Sequence, residues 1–395
     1  KKRPSPETFF AVIIAMGCNI GIDKMENISK GIQTSEFKNI IEWYFGKPAL
    51  EDSNDTIIKV KNELSLPEIH RKDPQELHTA SDGQKFLIKT DSLNASYSYK
   101  YPGFNKLVVA NTAVDERFAL FYSTVVMASD REAINIIDMH LGNPVIKSTI
   151  HSTDTHGATE VVFGILHLLG IYFAPRIKDI GSHELYSFVS KKQYADLGYK
   201  LLPDHYINTD YIKEHWNDIL RVMVSLKLGK TTAFQLLKKL NSYAKKSSLQ
   251  KALKEFGKIS RSAFILKYYD DLELRQSVEK SLSHIELMNR FSKAVFVGNN
   301  QEFTVATKEE QEKILLCRRL IQNAIVLWNY LYLSELIIKT QSQEELEEMI
   351  NVIRNGTAVT WQHINMLGEY DFSKQQSEKG GRFDIQKLKS WKYLK

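Results

Sequence analysis

The chain has 395 residues, 43% of them hydrophobic and 25% charged, with 53 Lys and Arg against 47 Asp and Glu for a net charge of +6. That balance excludes a disordered chain and gives enough apolar material for two or more cores. Only two cysteines occur, Cys18 and Cys317, which excludes a disulfide framework or a Cys-rich zinc site and fits a reducing compartment.

The apolar run Phe9 to Met16 is too short to span a bilayer, and Ala324 to Ile338 is interrupted by Asn329, Ser334 and Glu335. A soluble, cytoplasmic protein without a signal peptide or membrane partner is expected. The Asn-x-Ser/Thr triplets at Asn27, Asn54, Asn94 and Asn355 then carry no meaning. Lys1 stands where an initiator Met would, so a fragment or processed chain is expected.

Ser5-Pro6-Glu7 predicts a helix N-cap with proline at the first turn, and an apolar pattern follows to Met16 before Gly17 and Gly21 break it. Two further helices are predicted near Ser35 to Phe45 and Asn54 to Leu64, and Pro67 and Pro74 mark a boundary. From Glu76 the character becomes β. A first strand leads through Ala80-Ser81-Asp82-Gly83-Gln84-Lys85-Phe86, and Lys106 to Val114 and Phe118 to Met127 predict an antiparallel pair. Asp130 to Leu141 predicts a helix, Pro144 to Ile150 a strand, Glu160 to Leu169 a helix, and Tyr172 to Arg176 a short strand.

That order is the pattern of an α/β, RNase H-like mixed sheet, in which the first and fourth strands are neighbours. Asp82 then falls on or just after the first strand and Asp154 at the end of the fourth, where the two carboxylates can share metal. Asp154 sits in His151-Ser152-Thr153-Asp154-Thr155-His156-Gly157, between a strand and a helix pattern. The carboxyl ends of strands leave a crevice where sites form, and a carboxylate there suits a hard cation such as Mg²⁺. A helix-capping or turn aspartate is the plainer alternative. A third carboxylate is available as Glu286, whose helical face also carries Asn289, Arg290 and Lys293, while Leu282, Ile285, Met288 and Val295 form an apolar side.

Between Arg221 and Arg261 eleven basic residues face one acid, Glu255, so this segment carries +10 and the rest of the chain −4. Such segregation suits a phosphate backbone, through Lys238, Lys239, Lys245 and Lys246 among others; a solvated helical surface is the alternative. The expected organisation is a helical lead-in (1–75), the first part of the core (76–190), and a large helical insertion (191–275). A helix completing the core (276–305) and a helical C-terminal region (306–395) follow. In the last, Glu309 to Thr340 and Ser342 to Arg354 are helical and Gln375 to Gly381 is a polar break.

Colinear words through nearly the whole chain resemble the C-terminal catalytic part of the Tn3-family transposases, which are DDE enzymes. They are Gly17-Cys18-Asn19-Ile20-Gly21-Ile22, Ser81 to Phe86, Ser152 to Gly157, Phe173-Ala174-Pro175-Arg176, Leu282 to Gly298, and Trp361-Gln362-His363-Ile364-Asn365. Ile285 and His284 stand where the family more often has a glycine and a lysine just before the glutamate. The resemblance implies that Asp82, Asp154 and Glu286 are a metal-binding triad. It implies two Mg²⁺ ions, replaceable by Mn²⁺, cleavage of DNA strands at transposon ends, and transfer of the 3′-hydroxyl to target DNA. Arg176, Arg290 and Lys293 become candidate phosphate contacts, and His156 and Asn289 accessory residues. The implied partners are transposon-end and target DNA, with a homodimer in the full-length protein and a nucleoid-associated location in a bacterial cytoplasm. Two other readings stand beside it. One is a truncated, inactive transposase that binds DNA or interferes; the other is a different metal hydrolase, suggested by the His-x-x-Asp-x-His spacing around Asp154.

Overall fold

The computed structural model describes residues 3–97, 106–127, 133–154, 158–179, 181, 183–242, 247–373 and 383–391. Helix α1 (Pro6–Gly17) starts as expected, with the Ser5 hydroxyl accepting from Thr8 N and proline in the first turn. It stops at Asn19, whose φ of 58° lies in the left-handed region. The second predicted helix shortens to Phe37–Trp43. The third, α2 (Lys47–Asn62), begins earlier than Asn54 because Pro48 presets its first turn.

Strands β1 (His78–Leu87), β2 (Ser96–Tyr97), β3 (Lys106–Asp115) and β4 (Leu120–Met127) follow. The β3–β4 connection is closed by the Asp115 carboxylate, which accepts from Arg117 N at 3.0 Å and Ala119 N at 2.7 Å. After α3 (Ala133–Gly142), the strand expected over Pro144 to Ile150 is reduced to β5 (Ile150–Ser152). The Asn143 side chain accepts from both Val145 N and Ile146 N, and that local turn takes the backbone groups a strand would have used.

Helix α4 (Glu160–Leu168), capped by Thr159, leads to β6 (Tyr172–Phe173), and β7 (Tyr186–Ser187) and β8 (His205–Tyr206) form a small parallel pair. The longer elements after it are helices, α5 (Trp216–Lys227), α6 (Ala233–Ser242), α7 (Ser248–Asp270), α8 (Leu272–Val295), α9 (Lys308–Lys339) and α10 (Gln343–Asn355), while the short strands Ser29–Lys30 and Tyr370–Asp371 form a further parallel pair. The main sheet is mixed, with strand order β2-β3-β1-β5-β6 and β4 paired to β3. Among the described residues no helix is long and apolar enough to cross a membrane.

The chain divides into two compact units, one made of Lys1–Gln75, Gly83–Asp130 and His284–Lys395, the other of Glu76–Asp82 and Arg131–Ser283. Strand β1 and helix α8 each pass from one unit into the other.

In the first unit α9 packs on α1, α2 and β4. Gly17 permits the α1 contact, since a Cβ there would lie 2.8 Å from the backbone carbon of Cys317. Phe86, Val108, Val125, Phe296 and Phe303 form the sheet-side core, each buried phenyl contributing about 2–3 kcal/mol. The Arg318 side chain is buried in it, its guanidinium 4.8 Å from the Phe86 ring centroid and 5.2 Å from that of Phe296. The Gly17 to Ile22 word has a structural task. Asn19 Nδ2 donates to Gly298 O (3.1 Å) and Glu302 O (2.8 Å), and Gly298 N donates to Cys18 O, which clasps the loop after α8.

In the second unit α4 crosses α7 at Gly164 and Gly257, with backbones in contact. The Asp138 carboxylate of α3 accepts from Ala233 N and Phe234 N, capping α6 from another element. The basic segment falls largely on α5, α6 and α7, so its helical character is as expected.

Candidate active site

The site begins with strand register. β1 and β5 run parallel with His78 opposite Ile150, Thr79 opposite His151 and Ala80 opposite Ser152. Asp82 and Asp154 each follow two residues after the last of these pairs, Ala80 and Ser152. Side chains alternate along a strand, so both carboxylates share the face of His78, Ala80, Ile150 and Ser152. Each aspartate is half-buried, in the second unit.

Asp154 is met by cations. Arg176 approaches Asp154 Oδ1 with Nη2 at 3.1 Å and Nε at 3.3 Å, and Lys178 Nζ lies 3.6 Å from Oδ2. Arg176 is delivered by edge pairing that continues past β6: Ala174 N donates to His151 O and Arg176 N to Thr153 O. Alternation then brings Lys178 to the same side. The second face of the guanidinium reaches Glu279 of α8, Nη1 to Oε2 at 3.5 Å. Partial burial works against the charge of Arg176, but its bond and charge contact with Asp154, followed by Glu279, raise its pKa above the ordinary value. With Asp154 and Arg176 about a third and a quarter exposed, the pair contributes about 1 kcal/mol or less and can be exchanged for a ligand.

His151 points to the other face. It is fully buried, Nδ1 lying 2.9 Å from Thr79 Oγ1 and Nε2 3.0 Å from Ser81 Oγ, with the His140 ring edge-on at 4.6 Å. Burial, then the neighbouring His140 and His78, hold its pKa well below the usual histidine value. With both nitrogens engaged by hydroxyls, it leaves the His-x-x-Asp-x-His zinc-like reading without its first ligand. Thr155, His156 and Gly157 lie outside the described residues.

Glu286, Asn289, Arg290 and Lys293 belong to the first unit. Glu286, Arg290 and Lys293 are exposed, while Leu282, Ile285, Met288 and Val295 are buried, as the helical pattern predicted. Asn289 is drawn to the sheet: Gln84 Nε2 donates to its carbonyl at 2.9 Å and Thr112 Oγ1 to its Oδ1 at 3.3 Å.

Lys238 and Lys239 are exposed on α6, Lys238 Nζ lying 5.1 Å from the Phe234 ring centroid. Lys245 and Lys246 lie outside the described residues. Part of the +10 is locally balanced, Arg221 by Asp218, Lys258 by Glu255 and Arg261 by Glu160.

Among the described residues no group of three or more His, Cys, Asp or Glu side chains could hold a metal ion. The Asp82–Asp154 pair is nonetheless the oxygen donor set Mg²⁺ takes, since that ion commonly binds one or two carboxylates and completes its shell with water and phosphate. The cations gathered on Asp154 stand where such an ion's charge would serve.

The site thus consists of Asp82 within β1 and Asp154 just past β5, with Arg176 and Lys178 gathered on the latter. The chain matches the family described as the Tn3 transposase DDE domain over residues 1–370, and it belongs to that family. It is 30% identical to the transposase for transposon Tn1546 of Enterococcus faecium over 379 residues, 95% of this chain and 38% of that protein. Against the transposase for transposon Tn2501 of Escherichia coli the identity is 30%, covering 91% of this chain and 36% of the relative. For the Tn501 transposase of Pseudomonas aeruginosa it is 29%, covering 94% and 37%. The chain thus spans little more than a third of the length of these relatives. Sequence reading missed Lys178 and Glu279; the two-residue spacing of Arg176 and Lys178 on an extended segment was the available signal for the first.

Proposed function

We propose that this chain carries the catalytic region of a DDE transposase, cleaving DNA at transposon ends and joining the freed 3′-hydroxyl to target DNA. The parallel β1–β5 pairing, which ends at Ala80 and Ser152, two residues before Asp82 and Asp154, is the observation that supports the reading. Glu286 is the third carboxylate, on the strength of its matching sequence word. Residues 76–190 and 276–305 form an RNase H-like core on this reading, and 191–275 a helical insertion.

Asp82, Asp154 and Glu286 would hold Mg²⁺, which when bound stabilises the attacking and leaving oxygens of an in-line displacement. Arg176 is the residue to clamp a non-bridging phosphate oxygen, because its planar fork binds phosphate as well as the carboxylate it now holds. Glu279 holds the other edge of that fork, while Lys178 shares the Asp154 carboxylate with it. Arg290 and Lys293 supply further phosphate contacts along the DNA.

The test is nicking of supercoiled plasmid in Mg²⁺ or Mn²⁺. Asp82→Asn, Asp154→Asn and Glu286→Gln should each lower cleavage by on the order of 10²-fold or more while leaving DNA retention intact. Cleavage unchanged by Asp154→Asn overturns the reading. DNA binding without any metal-dependent nicking favours the second reading, a DNA-binding or interfering protein.

A further inference from the structure

Beneath the two aspartates a chain of hydrogen bonds links four elements of the second unit through one buried imidazole. His78 is 3% exposed. Its Nδ1 lies 3.0 Å from Ser277 Oγ of α8, and its Nε2 2.7 Å from Ser152 Oγ of β5. Ser152 Oγ in turn donates to Ala174 O, just past β6, at 2.7 Å. A hydroxyl has one proton, so Ser152 must accept from His78, which fixes the neutral ring as the Nε2–H tautomer. Nδ1 is then the acceptor for Ser277.

The sequence positions give the relay its meaning. Ser152 lies two residues before Asp154, Ala174 two before Arg176, and Ser277 two before Glu279, while His78 is on the strand of Asp82 and on its face. Strand β1 pairs with β5 over only three residues, too few for backbone bonds alone to hold the strand ends against slippage.

We propose that His78 is a positioning residue that locks β1, β5, the β6 extension and α8 together, so that the carboxylates and Arg176 are held for metal and phosphate. This rests on the metal-binding reading of Asp82 and Asp154. His78 touches neither metal nor substrate; it acts through Ser152 and Ser277, as outer-shell groups do when they orient ligands.

Mn²⁺ binding to the purified chain, followed by electron paramagnetic resonance, tests the proposal without any need for cleavage. Ser277→Ala and His78→Phe should each weaken Mn²⁺ binding roughly tenfold. The double variant should bind no more weakly than His78→Phe alone, because both changes break one relay. His78→Gln, whose amide can donate near the Nε2 position, should recover part of the loss. Ser262→Ala, which removes a buried hydroxyl bonded to Tyr186 N in the same unit, should leave binding unchanged. Nitrogen-15 spectra should show His78 as Nε2–H.

An Nδ1–H tautomer, or wild-type affinity in both Ser277→Ala and folded His78→Phe, overturns the proposal. If His78→Phe does not fold, Ser277→Ala and the tautomer decide. Asp154→Asn separates the two levels: unchanged Mn²⁺ binding there sinks the metal site itself, whereas loss there with none in the relay variants sinks only the role of His78.

Discussion

Imidazoles buried without acid partners make a protein sensitive to protons. His140 has its pKa pushed down to about 3 by burial, and His151 is held well below the usual value by burial and by its histidine neighbours. In the unfolded chain both return to about 6.5. Below that value the unfolded state takes up protons that the folded state refuses, so stability falls as pH drops through 6.5 and is regained as pH rises through it. Each histidine adds up to about 1.4 kcal/mol per pH unit to that slope. Urea unfolding at pH 7.5, 6.0 and 5.0 should show it, with His140→Leu flatter than wild type by close to one proton. A curve independent of pH between 7 and 5 contradicts the assignment. Arg176 belongs to the same scale: Arg176→Lys keeps a charge near Asp154 but loses the fork. It should depress plasmid nicking about tenfold or more with little change in thermal stability, readable by comparing cleavage rates with melting curves.

Among the elements, the α4–α7 crossing has the least tolerance. A Cβ on Gly257 would fall 1.6 Å from Glu160 O, a backbone atom that cannot swing aside, whereas one on Gly164 meets its nearest atoms at 3.2 Å. Gly257→Ala should therefore cost about 3 kcal/mol or fail to fold, and Gly164→Ala about 1 kcal/mol, measured by denaturant midpoint. Equal effects would mean that the helices do not cross there. Neither glycine stood out in the sequence, because helical glycines show their purpose only against a partner helix. Capping and hairpin signals were legible: Ser5-Pro6 opens α1, and the polar Asp115-Glu116-Arg117 turn joins β3 to β4. The adjacency of the Asp82 and Asp154 strands was legible too, since element order constrains how a mixed sheet is wound. The strand over Pro144 to Ile150 was misread because propensity does not register an asparagine side chain competing for backbone groups. Glu279 could not be read as a neighbour of Arg176, since nothing local joins positions so far apart in the chain.

At the scale of the whole molecule, positive charge is concentrated on α6 and α7, where Lys238, Lys239, Lys251 and Lys254 are all exposed. If these helices hold DNA, as the charge segregation in the sequence leads one to expect, binding is to phosphates and independent of base sequence. Replacing the four lysines by Gln should weaken binding to every duplex alike. It should also flatten the dependence of log affinity on log salt by roughly one unit for each phosphate no longer neutralised. A fourfold variant that retains both affinity and slope leaves these lysines as a solvated surface.

The scattered make-up of the first unit also bears on how the chain is made. Asn19 finds its acceptor at Glu302, 283 residues later, and the face of α1 that packs on α9 stays open until α9 has been synthesised. At ribosomal rates of roughly 5–20 residues per second, that interval is roughly 15–60 s. That face of α1 waits throughout it, and the β3–β4 hairpin waits from its own synthesis onward, while Arg131–Ser283 of the second unit emerges. A segment held open that long is a natural client for chaperones, and closing so large a loop makes refolding from denaturant slow and prone to aggregation.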